Sequence, residues 1–240
     1  MPSAVEAILF DMNGTLRARE AHEPTQRAAL ARLQEWIERE AIDLEELTRR
    51  YNTYRDWAQA NLIPLPEAEI WSRWMLPGIS SALVEPGAAE LMLAWSERKG
   101  HTIPVNGADT TLTALRERGY RLGVISNSMS TLDIPRSLEA FGWKDYFDVV
   151  ILSSTLRIRK PSPEPFLEAA RRLHLPPGHC AYVGNRVSKD IVGCKRAGFA
   201  LGLIIEPVSR TRLVQNDQAV TPDIVIHNLS ELLDIFPGVQ

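Results

Sequence analysis

The chain has 240 residues, of which 45% are hydrophobic and 24% charged, with 30 glycines and prolines. These are globular values, and they exclude a disordered tail, a collagen-like fibre and a disulfide-stapled miniprotein. The net charge of −3 gives no basis for bulk attraction to nucleic acid or to an anionic membrane. At ~150 residues per domain the length predicts one or two domains. No apolar run approaches the ~18 residues of a membrane span, and Met1 to Val5 lack the basic start of a signal peptide, so a cytoplasmic location is expected. Cys180 and Cys194 fall in a predicted strand and a predicted helix and are expected to be buried thiols rather than a disulfide.

In chain order, residues 5–10 form the first predicted strand. Residues 17–104 then hold five of the six Trp but one of the 14 Val and three of the 14 Gly. Valine favours strands, so this Val-poor stretch is expected to be an all-helical insert. Helical periodicity covers 25–40, 44–60 and 88–98, punctuated by Pro24, Pro64, Pro66, Pro77 and Pro86. Trp71 and Trp74 are expected to be core between these helices rather than a substrate platform. From residue 105 strand and helix alternate. Strands are predicted at 122–126, 149–152, 181–183, 200–205 and 224–226, and helices at 110–118, 131–141, 164–173, 188–197 and 230–235. Alternation with β-branched strands predicts an α/β fold with a doubly wound, mostly parallel sheet and Asp11 on a central strand. Ligands of such sheets bind beyond the carboxyl ends of the strands.

Four polar clusters fall at or just after those ends. They are Asp11-Met12-Asn13-Gly14-Thr15, Ser126-Asn127, Lys160-Pro161, and Gly184-Asn185 with Asp190 further on. Taken singly, each reads as a turn, a helix cap or a solvated charge. Taken together, they contain a carboxylate able to form a covalent intermediate, a hydroxyl and an amide to orient the transferred group, and an ammonium to neutralise developing charge. They also contain oxygen ligands for a divalent cation.

This set resembles the haloacid dehalogenase superfamily over residues 5–16 and about 105–205, with the insert where that family carries a helical cap. The resemblance implies a Rossmann-like core of residues 1–16 and 105–240 and a cap of residues 17–104. It implies Asp11 as nucleophile, with Asn13, Ser126 and Lys160 as the other catalytic positions. Thr15 and Asn127 would contact substrate, and Asp11, Asn13, Asn185 and Asp190 would hold Mg²⁺. Arg186, read from its own position, is either a contact to a ligand phosphate, a partner of Asp190 or a helix cap. Two positions depart from the family pattern. Asn13 stands where a carboxyl normally protonates the leaving group, a function whose loss costs about 10²–10⁴ in rate. Asn185 replaces a charged metal ligand, so Mg²⁺ is expected to bind weakly.

The leading expectation is a phosphatase for a small phosphorylated molecule, working through an aspartyl-phosphate as a monomer or homodimer. A 2-haloacid dehalogenase-like hydrolase is the first alternative, although no halide cradle is placed and Arg17 and Arg19 are only nearby. A catalytically degenerate binding module is the second. Lys99 reads as a charge at a helix C-terminus and Lys189 as a helix-surface charge. None of the five His has metal-ligand spacing, and His174 and His179 are expected at the surface.

Overall fold

Short apolar runs with no polar alternation demand cover on both faces, and the helices flanking the sheet provide it. The computed structural model describes residues 5–206 and 220–239. Its strands are β1 (Ala7–Phe10), β2 (Arg17–Glu20), β3 (His101–Pro104), β4 (Arg121–Ser126), β5 (Val149–Leu152), β6 (Cys180–Gly184), β7 (Leu201–Ile205) and β8 (Ile224–Ile226). Six of them form one sheet in the order β5-β4-β1-β6-β7-β8, with every neighbouring pair parallel. The expected α/β sheet, with Asp11 just beyond a central strand, is therefore present. All four residues of β1 are buried. Ile8 and Phe10 pack with Leu112, Leu115 and Ile134, while Ala7 and Leu9 pack with Phe166, Ala169 and Tyr182. Alternate residues thus feed the two layers. From β1 the core strands run outward through β4 to β5, and then restart on the other side with β6. The crevice at this reversal lies beyond the carboxyl ends of β1, β4 and β6, where sheets of this kind bind ligands.

The insert departs from its all-helical expectation at both ends. β2 and β3 pair as an antiparallel ribbon where the chain leaves the core and returns. Each strand is four residues long and neither carries an apolar run, so only the tertiary pairing defines them. Between them lie helices Glu23–Arg39, Leu44–Asn61 and Ala88–Glu97 and a π-helical segment, Ile70–Met75. Asp43 caps the second helix by accepting the Glu46 N–H at 2.7 Å. These helices share an apolar cluster that includes Leu33, Leu47, Tyr54, Trp71 and Trp95. Trp71 is wholly buried and meets Trp95 edge-on, and Trp74 is half-buried against Tyr54 and Trp57, which agrees with their reading as core. The insert touches the rest of the chain through Glu67, whose carboxylate accepts the Thr131 N–H at 2.8 Å, and through the Leu62 carbonyl, which accepts the Arg159 N–H at 3.1 Å. Residues 1–4, 207–219 and 240 of the two expected core segments lie outside the described residues.

Cys180 on β6 and Cys194 on helix Val192–Arg196 are both free and buried. Burial pushes each thiol up to about 12. The thiolate is the reactive form, so neither cysteine is expected to react with iodoacetamide at pH 8 in the folded protein, while both react in denaturant. Rapid labelling of native protein, read by intact mass, would contradict this packing. Among the described residues no helix is long and apolar enough to cross a membrane. His174 is exposed, and His179 is half-buried and paired with Glu6.

Candidate active site

β1 ends against β6, where the Asp11 N–H donates to the Val183 carbonyl at 2.9 Å. The chain then turns back tightly: the Leu16 N–H donates to the Met12 carbonyl at 3.0 Å and the Gly14 N–H to the Arg17 carbonyl at 2.8 Å. Gly14 has φ +83°, so the backbone here requires glycine, and a Cβ would also have to displace the Asn185 amide, whose Nδ2 lies 2.1 Å from its place. This turn delivers Asp11 to the end of the sheet with its side chain mostly enclosed.

Asp11 Oδ1 accepts from Ser126 Oγ at 3.1 Å and from Lys160 Nζ at 2.9 Å. Three residues distant in sequence therefore meet through the ends of β1 and β4 and the segment after β5. Lys160 is 2% exposed. Its Nζ also lies 2.7 Å from Asp190 Oδ1 and 2.6 Å from the Tyr182 hydroxyl, and donates to the Ile125 carbonyl at 2.9 Å. Burial alone would lower the Lys160 pKa, but the carboxylates of Asp11 and Asp190 more than offset it and hold the ammonium above its ordinary range. Lys160 is thus a permanent cation bonded to the carboxylate expected to be the nucleophile.

Four expected residues, Asp11, Ser126, Lys160 and Asp190, come together, but several contacts differ from expectation. Asp190 was expected to help hold Mg²⁺. Its Oδ1 faces the Lys160 ammonium, and its Oδ2 accepts the backbone N–H groups of Asn185 (3.1 Å) and Arg186 (2.9 Å). Both oxygens take bonds within the protein, one of them from the Lys160 ammonium. Gly184 makes this close approach feasible, since a Cβ there would lie 2.5 Å from the Asp190 side chain. Asn127 was expected to contact substrate through its side chain. Instead its amide clamps the Lys160 backbone, donating to the carbonyl at 3.0 Å and accepting the N–H at 2.9 Å. Thr15, expected to contact substrate, is wholly buried, and its hydroxyl has no partner among the described residues. Arg186 is exposed, and it does not line the cavity that reaches Asn13 and Asn127.

Asn13 is exposed at the turn, and its Oδ1 accepts Arg17 Nε at 3.0 Å. Arg17 is itself fully buried, with further bonds to Asp133 and Ser137. Sequence reasoning noted Arg17 only as a neighbour, and the ribbon β2–β3 is what folds it back onto Asn13. Tyr182 was also missed. The available signal was a tyrosine inside a buried strand, whose hydroxyl needs a partner. Here the hydroxyl donates to the Ile125 carbonyl at 2.7 Å beside Lys160.

A cavity of about 270 Å³ adjoins this centre. Asn13, Asn127 and Arg159 line it from one side, and Tyr51, Arg98 and Lys99 of the insert from the other. Lys99 follows the helix end as expected, but its side chain faces this cavity and is not a purely solvated charge.

A divalent cation fits the donor set only weakly. Both protein hydrogen bonds to the Asp11 carboxylate fall on Oδ1, which leaves Oδ2 available. The Asn13 carbonyl and the Asn185 side chain lie together, joined by a bond from Asn185 Nδ2 at 3.2 Å, so a cation there requires that amide to turn its oxygen inward. Among the described residues no three His, Cys, Asp or Glu side chains gather as a metal site.

A buried carboxylate–ammonium pair thus lies at the switch point of a doubly wound parallel sheet in a Rossmann-like α/β protein. The family model for haloacid dehalogenase-like hydrolases matches residues 5–198, and the chain belongs to that family. It is similar to a glyceraldehyde 3-phosphate phosphatase of Methanopyrus kandleri, 27% identical over 96% of this chain and 97% of that one. A glyceraldehyde 3-phosphate phosphatase of Methanothermobacter thermautotrophicus is 34% identical over 55% of this chain and 58% of its own length. Among solved structures, a 2-haloacid dehalogenase from Pseudomonas syringae superposes with a TM-score of 0.70 at 25% identity, covering 96% of this chain and 97% of that one.

Proposed function

We propose that the protein is a phosphatase that hydrolyses a small phosphorylated molecule through an aspartyl-phosphate on Asp11. The observation that carries this reading is the Asp11 carboxylate: Oδ1 is held by Lys160 and Ser126, and Oδ2 takes neither of those bonds. The phosphatase names of relatives along most or half of the chain support it. Asp11 Oδ2 attacks phosphorus and the leaving group departs with the electron pair of its P–O bond. Water then attacks the phosphorus of the acyl phosphate and returns the carboxylate. Lys160 stays protonated and offsets the charge on the phosphoryl oxygens, and the Ser126 hydroxyl holds one of them. The N–H groups of Met12 and Asn13 have no protein acceptor among the described residues, which makes them donors for the same oxygens. In this reading the core of residues 1–16 and 105–240 and the cap of residues 17–104 close on each other to exclude water, and the protein acts in the cytoplasm as a monomer or homodimer.

Asn13 supplies no proton, so the reading favours leaving groups that depart as weak bases. The test is phosphate release from acetyl phosphate, aryl phosphates and alkyl phosphates. Rates are expected to fall in that order. No phosphate from any of them, with halide released from 2-haloacids instead, would overturn the reading in favour of the dehalogenase reaction. Asn13→Asp is expected to speed alkyl phosphate hydrolysis by less than the full ~10²–10⁴ of general acid catalysis. The new carboxyl would sit beside Arg17 Nε, which favours its ionised form over the acid.

Mg²⁺ would be held by Asp11, the Asn13 carbonyl and the Asn185 side chain, and when bound it supplies positive charge to the phosphoryl oxygens. With one free carboxylate the affinity is low. Asn185→Asp is expected to tighten Mg²⁺ by about tenfold in calorimetric titration. Unchanged affinity would remove Asn185 from the ligand set.

A further inference from the structure

The cavity beside Asn13 and Asn127 has an unbalanced charge inventory. Its lining includes Arg19, Arg55, Arg98, Lys99 and Arg159, and a single carboxylate, Asp133. Asp133 is already committed, pairing with Arg17 through one oxygen and with Arg19 at 3.0 Å through the other. Arg55 meets only the exposed Asp56 at 3.4 Å. Arg98 lies over the Trp95 ring, 3.3 Å from its centroid, and donates to the Trp95 carbonyl. Neither Arg98, Lys99 nor Arg159 pairs with a carboxylate among the described residues.

Arg159 stands out. It is 5% exposed, its Nε has no partner, and the one side-chain bond it makes is from Nη1 to the Met129 sulfur at 3.4 Å. Burial lowers the pKa of Arg159, of Lys99, and of Arg98, the last to about 10; Arg55 adds to the shift at Arg159 and Lys99 and Arg19 at Lys99 and Arg98, while Tyr51 opposes it at Arg159 and Arg98 and Tyr54 at Arg159. A buried guanidinium without a counter-charge is strongly unfavourable, and an anion from outside the chain is what would relieve it. Guanidinium forks match carboxylate and phosphate oxygens in pairs. The same cavity reaches Asn13 and Asn127, which adjoin Asp11 and clamp Lys160, so one small molecule can occupy both places.

We infer that this cavity binds a second anionic group on the substrate, a carboxylate or a second phosphate remote from the reacting phosphoryl group, with Arg159 as its anchor and Arg98 and Lys99 of the insert completing the site. This deepens the phosphatase reading and rests on it for the identity of the first group. The cations are contributed by both parts of the chain, so such a substrate also holds the insert against the core.

The test uses the full chain and two readouts. In turnover, phosphoglycolate and propane-1,3-diol bisphosphate, each bearing a second anion, are compared with ethyl phosphate, which has none. In binding, 3-phosphonopropionate and propane-1,3-bisphosphonate are compared with propylphosphonate by calorimetry, a readout that needs no catalysis. The wild type is expected to favour at least one second-anion probe by about tenfold or more, and which probe leads separates carboxylate from phosphate. In Arg159→Met that preference is expected to collapse by a similar factor, mainly through KM. Lys99→Gln, at a less buried position, is expected to reduce it in the same direction and guards against a folding artefact at Arg159. Equal binding of all three phosphonates by the wild type, or a preference that survives Arg159→Met, would overturn the inference. A binding preference without phosphate release from any ester would support this site and sink the phosphatase reading instead.

Discussion

Replacing Asp11 by Asn is expected to lower kcat by at least about 10³-fold while leaving the fold intact. The amide is isosteric, and its oxygen can still accept from Ser126 Oγ and Lys160 Nζ, so the local hydrogen bonds survive. Lys160 keeps one counter-charge, Asp190 Oδ1 at 2.7 Å. What disappears is the anionic oxygen that, in the proposed mechanism, bonds to phosphorus. Acid-quenched wild type mixed with acetyl phosphate is expected to carry the added mass of one phosphoryl group, and the variant none. Turnover near the wild-type rate in Asp11→Asn would remove this residue as the nucleophile and with it the proposed mechanism.

Lys160→Met has the second large expected effect, and it separates stability from catalysis. The substitution leaves Asp11 and Asp190 as enclosed carboxylates without their shared ammonium. Breaking a buried pair from one side costs about 3–5 kcal/mol, so the urea midpoint at pH 7 is expected to fall well below that of the wild type. Turnover is expected to fall by about 10²–10³, the range for loss of one preorganised stabiliser of developing charge. The double variant Lys160→Met/Asp190→Asn is expected to recover stability without recovering turnover. Recovery of both would show that Lys160 is only structural.

The pH dependence follows from the same pair. The folded pKa of Lys160 lies above its unfolded value of about 10.4. Its contribution to stability is therefore fully present below about pH 10.4 and is lost as pH rises through the folded value. In Lys160→Met this alkaline loss is absent. The variant instead gains relative stability on acidification, as protonation of one carboxylate relieves the remaining repulsion. Urea midpoints between neutral and strongly alkaline pH, compared for the two proteins, check the sign.

Much of this centre is local information, and local information is readable in a chain. Asp11 and Ser126 sit at the ends of runs of apolar residues, and a parallel sheet brings the carboxyl ends of its strands to one edge, whereas Lys160 lies beyond β5 and a short helix, Ser153–Leu156. Gly14 and Gly184 mark close backbone approaches that a side chain would block. The helical character of the insert follows from its poverty in valine, and the burial of Trp71 from its spacing among apolar neighbours.

The remaining features depend on contacts between distant segments, for which the chain holds no periodic signal. Arg17 reaches Asn13 only because a four-residue ribbon reverses the chain. Both oxygens of Asp190 are used within the protein, and the amide of Asn127 is used on a backbone, because the packing of β6, its following turn and the Lys160 segment leaves those groups nearest one another. Whether a polar residue faces a ligand or satisfies its own protein depends on its nearest neighbours in space. The sheet and the carboxylate after its central strand are readable in the chain, since strand polarity and loop position follow short-range pattern; the cation beside that carboxylate is readable through the family resemblance. Which arginines lack a partner is visible in the folded molecule alone, because a charge is balanced or unbalanced by everything packed around it and not by the residues before and after it.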